Sequence, residues 1–259
     1  MTISEKSRRL LQVEIKQGIK EKKPKASAPS PFRSYYDFQG IISGEVNETA
    51  DDDEKLIVAK LGGSLIDLLP DVLQALKESD KRILIVPGGG IFADSVRDLD
   101  PDTDSAHWMA ILGMEQYGHY ISSFGIYATD SLNMDDCPGR VAVLLPYKFL
   151  RENDTLPHSW DVTSDSIAAY IAYTLSAGLI ILKSVDGLTK DEQVLSEVCA
   201  DSSFEEVDPF LIPYLIDKNI DTWILNARKT DILRNFFSGG EFFGTHIHGK
   251  FLSANTPNL

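Results

Sequence analysis

The stretch "LIVAKLGGSLIDL", residues 56–68, places a lysine inside an apolar run and follows it with two glycines and a serine. Leu56, Ile57, Val58 and Leu61 are typical of a buried strand, and such a strand offers an ammonium group little hydration. We therefore expect Lys60 either to point out of the end of the strand or to face a large anion. The glycines favour the anion, because backbone N–H groups without a neighbouring Cβ can approach oxyanions closely.

Similar apolar runs recur along the chain, with helix-length segments between them. The runs are "RILIVP" (82–87), "RVAVLLP" (140–146), "LIILKSV" (179–185) and "DTWILN" (221–226), and the helical segments include 71–80, 106–125, 164–178 and 231–239. This alternation predicts a mostly parallel central sheet with helices on both faces. The fold class is therefore α/β, a three-layer αβα sandwich, in one domain over residues 55–259.

A second glycine-rich turn, "PGGG" (87–90), follows the next strand. A single glycine-rich turn is usually a tight corner, but two such turns after two strands indicate a phosphate site at the carboxyl edge of the sheet. Neither turn has the lysine of a Walker A loop. "GGGIFA" (88–93) matches a dinucleotide-binding pattern only formally. That pattern requires an acidic residue at the end of a second strand about 20 residues later, and this chain has a helical segment there. The predicted phosphate-binding residues are Gly62, Gly63, Ser64, Gly88, Gly89 and Gly90.

Composition narrows the class of protein. The net charge of −14 argues against a nucleic-acid-binding surface. No apolar run reaches the roughly 20 residues of a membrane helix, and the two cysteines are too few for a disulfide framework. We therefore expect a soluble, cytoplasmic protein without nucleic-acid or membrane partners. Residues 1–54 are rich in charge and contain the linker-like "KPKASAPSP" (23–31), so we interpret them as a flexible extension or a partner-binding segment.

Five short motifs in order resemble the amino acid kinase superfamily. They are "KLGGS" (60–64), "PGGG" (87–90), "TSDS" (163–166), "SVDG" (184–187) and "GTHI" (244–247). No single motif is specific, but their order is, and the resemblance extends over residues 55–249, about three-quarters of the chain. The resemblance implies an amino acid kinase or carbamate kinase-like fold and ATP-dependent phosphoryl transfer to a small molecule, with ATP and Mg²⁺ as cofactors.

The resemblance also implies roles for individual residues. Lys60 is expected to bridge the transferring phosphate and the acceptor oxygen, and Asp165 to hold that lysine in place. No metal ligand is assigned, and Asp161 is equally well explained as a helix cap or as a partner of Mg²⁺. The expected nucleotide-binding residues are Thr163, Ser164, Lys183, Asp186, Gly187, Asn226 and Lys229.

The second catalytic cation stays open at this point. Many superfamily members carry a second lysine on a late strand, where this chain has "WILNARKTD" (223–231). Lys183, Arg228 and Lys229 are therefore all candidates. Lys183 lies in "LKSVDG" (182–187), where superfamily members commonly show T-D-V-D-G, so Ser184 replaces an aspartate.

The acceptor is expected to lie under the helix of residues 106–122. The segments "PGGGIFAD" (87–94), "AILGMEQYG" (110–118) and "WDVTSDSIA" (160–168) most resemble superfamily members of methanofuran biosynthesis, which convert an aminomethylfuran monophosphate to its diphosphate. That resemblance implies Arg97 as a phosphate partner and Asp94 or Glu115 as partners of the amine. Arg97 can also be explained as an ordinary surface ion pair.

Alternative functions remain on the same fold. The acceptor could be a uridylate, an isopentenyl phosphate or an amino acid that forms an acylphosphate, and a non-catalytic nucleotide-binding protein is a further alternative. Such proteins are commonly homo-oligomers, so we expect a dimer or a larger assembly.

Overall fold

The computed structural model describes residues 56–199 and 202–249, and the expectations for residues 1–54 lie outside this part of the chain. The strands are β1 (Leu56–Leu61), β2 (Arg82–Pro87), β3 (Tyr127–Thr129), β4 (Val141–Leu144), β5 (Gly178–Lys183), β6 (Thr189–Lys190), β7 (Gln193–Val194), β8 (Glu197–Val198), β9 (Thr222–Asn226) and β10 (Gly244–Ile247). The α-helices are α1 (Leu69–Glu78), α2 (Gly90–Leu99), α3 (Thr103–Ser122), α4 (Tyr147–Glu152), α5 (Ser164–Thr174), α6 (Leu211–Lys218) and α7 (Thr230–Ser238).

Eight strands of the described residues form one sheet in the order β3-β4-β2-β1-β5-β9-β10-β8. The six strands from β3 to β9 run parallel to their neighbours, whereas β10 runs antiparallel to β9. The opening lysine-containing strand, β1, lies between β2 and β5. The loops after β1, β2 and β5 therefore meet at one edge of the sheet, where parallel α/β sheets bind ligands.

Alternate residues of the central strands pack into two apolar cores on opposite faces of the sheet. On β1, Val58 belongs to the core that α5 and α6 cover, and Ala59 and Leu61 belong to the core that α1 and α7 cover. Lys60 alternates with Ala59 and Leu61 and therefore faces α5. This arrangement confirms the predicted αβα sandwich.

The structure also contains elements that the apolar pattern did not predict. These are the short strands β3 and β8 at the two edges of the sheet, the short strand β10 beside β8, the β6–β7 hairpin and the helices α4 and α6. Strands of two to four residues carry too little alternation to be recognised, because their pairing comes from neighbouring strands rather than from their own pattern. Within the described ranges, no helix is both long and apolar enough to cross a membrane.

Candidate active site

Two lysines meet one buried aspartate at the carboxyl edge of the sheet. Lys60 Nζ lies 2.8 Å from Asp165 Oδ1, and Lys183 Nζ donates a hydrogen bond of 2.6 Å to Asp165 Oδ2. Lys60 comes from the end of β1, Lys183 is the last residue of β5, and Asp165 lies in the first turn of α5. Asp165 is only 2 % exposed, so each of its two oxygens has its own cation in a site with little water.

The charges of this cluster depend on one another. Burial opposes ionisation of Asp165, but the charges of Lys60 and Lys183 outweigh it and lower the pKa of the carboxyl group. Burial, followed by the charge of Lys60, lowers the pKa of Lys183. The cluster therefore has two ammonium groups for one carboxylate, and it is suited to receive a further anion.

A second buried aspartate, Asp208, fixes the start of α5. Its Oδ2 accepts hydrogen bonds from the backbone N–H of Thr163 (2.9 Å), the hydroxyl of Thr163 (2.8 Å) and the backbone N–H of Ser166 (3.1 Å). Its Oδ1 accepts from Leu211 N at 3.0 Å and from the Ser166 hydroxyl. Thr163 occupies the N-cap position without a side-chain cap bond of its own, so Asp208 supplies the cap and sets the position of Asp165. No pattern in the sequence marks this residue.

The two glycine-rich turns pack directly against each other. A Cβ on Gly63 would lie 2.2 Å from the Cα of Gly90, and the backbone N–H of Gly88 donates to the carbonyl of Leu61 at 2.8 Å. Gly90 has φ +52°, a conformation that favours glycine, and it begins α2. Only residues without side chains fit this close approach, which brings the backbone of both turns to the β1–β2 end of the sheet.

Four of the expected nucleotide-binding residues lie at the ends of β5 and β9, namely Asp186, Gly187, Asn226 and Lys229. Asp186 Oδ1 accepts hydrogen bonds from Asn226 Nδ2 at 2.7 Å and from Lys229 Nζ at 2.6 Å. These bonds, led by that from Lys229, lower the pKa of Asp186. Gly187 has φ +154°, and a Cβ there would lie 2.4 Å from Thr245 Oγ1, so this turn also requires glycine.

The three candidates for the second cation have different partners. Lys183 joins Lys60 on Asp165, whereas Lys229 pairs with Asp186. Arg228 forms a bidentate pair with Asp67, with N···O distances of 2.8 Å and 3.2 Å. Of the three, Lys183 is therefore the one that shares the carboxylate of Lys60.

A cavity of about 570 Å³ lies beside Lys60 at this edge of the sheet, and neither Asp165 nor Lys183 is among the residues that line it. At one end it is lined by Lys60, both glycine-rich turns, Ser64, Thr163 and Ser164, and at the other by residues of α2, α3 and the loop before α5. This volume is in the range of small-molecule sites. Most residues predicted for phosphate binding thus line one continuous space.

The far end of the cavity combines an aromatic ring with charges of both signs. The guanidinium of Arg97 lies 4.3 Å from the ring centroid of Trp160, and Arg97 Nη1 is 3.3 Å from Asp94 Oδ1. Asp100 also lines this end. Arg97 and Asp94 therefore lie where the sequence predicted an acceptor, and Trp160 is a cavity residue that the sequence did not single out.

Other predicted residues lie elsewhere. Glu115 is not among the residues that line the cavity, and its Oε1 accepts a 3.0 Å hydrogen bond from the backbone N–H of Tyr147 at the start of α4. Asp161 is exposed, and its backbone carbonyl accepts from Phe210 N at 3.2 Å.

A histidine pair forms part of the cavity wall near α3. His107 lines the cavity and stacks on His158 with ring centroids 3.9 Å apart. Burial, followed by the charge of His158, lowers the pKa of His107 to about 4. His158 lies between Asp104 (2.7 Å) and Asp154 (2.9 Å). His107 is thus neutral near pH 7 and offers the cavity a hydrogen-bonding group rather than a charge.

Comparisons with known proteins agree with this geometry. The profile of the Amino acid kinase family matches residues 55–209. The [5-(aminomethyl)furan-3-yl]methyl phosphate kinase of Methanocaldococcus jannaschii is 31 % identical over 213 residues, which is 74 % of this chain and 97 % of that protein.

Solved structures share the fold at lower identity. UMP kinase from Ureaplasma parvum superposes with a TM-score of 0.59 at 18 % identity, over 75 % of this chain and 99 % of that one. A uridylate kinase from Archaeoglobus fulgidus gives 0.56 at 16 % identity, over 74 % and 99 % of the two chains. An isopentenyl phosphate kinase gives 0.53 at 17 % identity, over 74 % and 100 %. The family match over residues 55–209 and the 31 % identity over 97 % of the Methanocaldococcus jannaschii kinase establish that the chain is a kinase and belongs to the amino acid kinase family.

Proposed function

We propose that this kinase uses ATP to convert [5-(aminomethyl)furan-3-yl]methyl phosphate to its diphosphate. The observation that carries the proposal is the 31 % identity that extends over 97 % of the kinase that bears this name. The cavity supports it, because it joins the lysine and glycine cluster to an end with an aromatic ring, a cation and carboxylates. The proposed acceptor has the matching groups: a furan ring, a phosphate and an ammonium group.

The chain's contribution to phosphoryl transfer is positioning and charge. Negative charge spreads over the oxygens of the transferring group, so fixed cations and N–H donors lower the barrier. Lys60 and Lys183 are held by one buried carboxylate and need little rearrangement to face those oxygens. The backbone N–H groups of the glycine-rich turns are proposed to bind the same oxygens from the β1–β2 side.

The nucleotide is proposed to bind beside β5 and β9. Asp186, Gly187, Asn226 and Lys229 lie together there, and Thr163 and Ser164, which line the cavity, are proposed to contact the nucleotide from the start of α5. Bound Mg²⁺ would neutralise phosphate charge. Both oxygens of Asp165 are taken by lysines, so the chain is proposed to receive Mg²⁺ mainly through the phosphates, as Mg²⁺ commonly is.

The acceptor end is proposed to recognise each part of the substrate separately. Trp160 is 41 % exposed and presents a ring face on which a furan can stack. Arg97, Asp94 and Asp100 line the cavity, and we propose that Arg97 pairs with the existing phosphate and that Asp94 and Asp100 bind the ammonium group. The role predicted for Glu115 as a partner of the amine stays a prediction, because its carboxylate accepts a hydrogen bond from the backbone N–H of Tyr147.

A panel of acceptors tests the proposal. Purified protein with Mg²⁺ and ATP would be incubated with the furan monophosphate, UMP, isopentenyl phosphate, aspartate and glutamate, and the products identified by mass spectrometry. We expect diphosphate from the furan compound at a kcat/KM at least about tenfold above that for any other acceptor. A preference for another acceptor would overturn the assignment, and ATP binding without any product would favour a non-catalytic nucleotide-binding protein.

Trp160 provides a sharper version of that test. Trp160→Leu keeps an apolar side chain but removes the stacking face, so KM for the furan monophosphate should rise about tenfold. Trp223→Leu, outside the cavity lining, is the matched tryptophan control. An unchanged KM in Trp160→Leu would contradict the proposed stacking.

A further inference from the structure

A cluster of metal-ligand side chains lies at the β8 edge of the sheet, outside the cavity. His246 and His248 are two residues apart at the end of β10 and therefore point to the same face. Glu197 of β8 is paired in register with His246, and Cys199 follows two residues later on that face. On the other side of β10, Asp221 immediately precedes β9.

The donor atoms of these side chains converge. Glu197, Cys199 and His248 form one group, and Asp221, His246 and His248 form another. In each group the ligand atoms lie within 4.8 Å of one another, and His248 belongs to both. We propose that this cluster binds a zinc-like divalent transition-metal ion through His246, His248 and Asp221, with Glu197 or Cys199 completing the coordination.

The spacing of the donors fits shared coordination better than hydrogen bonding. His246 Nε2 lies 3.6 Å from Asp221 Oδ1, and His248 Nε2 lies 3.7 Å from Glu197 Oε2. Both distances are too long for a good hydrogen bond. Two ligands that are each about 2.0–2.1 Å from a tetrahedral ion lie about 3.3–3.5 Å apart, so small side-chain shifts would suffice.

One metal-ligand atom of the cluster has no hydrogen-bond partner in the described part of the chain. His248 Nε2 is buried, and no described group forms a hydrogen bond with it. Burying such a nitrogen without a partner is costly, and a metal ion at this point would satisfy it.

A stacked aromatic ring also holds one of the imidazoles in place. His246 stacks on Trp223 with centroids 4.4 Å apart and an interplanar angle of 4°. Two imidazoles with carboxylate and thiol donors suit zinc or a similar ion rather than Mg²⁺.

The other histidine cluster lacks these properties. His107, Asp154 and His158 also lie close together. Both ring nitrogens of His158, however, already bond to carboxylates, at 2.7 Å and 2.9 Å. The edge cluster is therefore the better metal site. An ion there would join β8, β10 and the start of β9, and so fasten the edge of the sheet.

Metal content and thermal stability test the proposal. Full-length protein without an affinity tag would be stripped with a chelator, loaded with excess zinc, desalted and analysed by plasma mass spectrometry. We expect one zinc per chain. The unfolding midpoint should rise by about 5 °C or more when free zinc is about 100 times the dissociation constant.

Variants assign that zinc to the cluster. His246→Gln and His248→Gln should retain less than a tenth of the zinc and lose the thermal shift, whereas His119→Gln, which removes an exposed histidine elsewhere, should behave as the parent. Circular dichroism of the stripped proteins checks that each variant is folded. Zinc retention by the two cluster variants equal to that of His119→Gln, or a parent protein without bound zinc, would overturn the proposal.

Discussion

Lys183 Nζ lies 2.6 Å from Asp165 Oδ2, on the carboxylate whose other oxygen faces Lys60. A cation at the end of β5 and another at the end of β1 are thus fixed by one buried side chain. Since α5 carries that side chain, the site requires the correct packing of three elements at once. This is the arrangement that electrostatic stabilisation of a phosphoryl group needs.

Replacing Lys183 should impair turnover more than folding. Lys183→Met keeps the length of the side chain and leaves Asp165 paired with Lys60, so we expect the protein to fold and kcat to fall about 10²–10³-fold. Steady-state kinetics with Mg²⁺ and ATP measure this. Lys190→Met, on the exposed β6–β7 hairpin, is the control. Equal kcat values in the two variants would show that Lys183 is not the second cation.

Removing the cap of α5 should destabilise the protein. The carboxylate of Asp208 accepts five hydrogen bonds. In Asp208→Asn an NH₂ group replaces one of its oxygens, so the N–H and O–H groups that bonded to that oxygen would face another hydrogen-bond donor. We expect the free energy of unfolding to fall by about 3 kcal/mol. Urea titration measures it, with exposed Asp191→Asn as reference. A loss below about 0.5 kcal/mol would mean that the cap does not hold α5 in place.

The contact between the glycine-rich turns should not tolerate a methyl group. Gly63→Ala places a Cβ 2.2 Å from the Cα of Gly90, so one turn must move away from the other. We expect kcat/KM to fall at least about 100-fold, since displacement by about 1 Å is costly at a catalytic site. Gly139→Ala has no neighbour within 4 Å of the new Cβ and should match the parent. Activity of Gly63→Ala near that of Gly139→Ala would argue against the close packing.

His158 should make stability depend on pH. Partial burial acts to lower its pKa, but the bonds to Asp104 and Asp154 outweigh this and raise the pKa. The charged form is thus favoured in the folded state. The stabilisation from protonated His158 is complete below the pKa of this residue in the unfolded chain, about 6.5. It is lost as the pH rises through the higher pKa of His158 in the folded protein.

Denaturant unfolding of His158→Gln at several pH values tests this relationship. Its deficit in unfolding free energy relative to the parent should be largest below about pH 6 and should shrink in alkaline solution. His119→Gln should show no such trend. A deficit in unfolding free energy that grows with pH would contradict the raised pKa of His158.

Much of the fold and part of the site follow from short sequence patterns. The position of Lys60 at the end of an apolar strand and the two glycine turns are local signals, and both lead to the carboxyl edge of the sheet. The edge strand β8 has only two residues and forms because it pairs with β10, so no local sequence pattern predicts it.

Site residues that depend on distant contacts were not recognisable. Asp208 lies 45 residues beyond Thr163 and acts only because α6 packs near the start of α5. Which of Lys183, Arg228 and Lys229 is the second cation depends on which side chain reaches Asp165. Lys183 reaches it because β5 lies next to β1 in the sheet, and spacing along the chain does not reveal that.

The most direct measurement is the formation of the furan diphosphate by the parent protein and by Lys60→Met, followed by phosphorus NMR with Mg²⁺ and ATP. We expect the parent protein to form one ADP for each diphosphate, and Lys60→Met, although folded, to be at least about 100-fold slower. Equal rates in the two proteins would contradict the role of Lys60, and absence of the diphosphate with the parent would contradict the proposed acceptor.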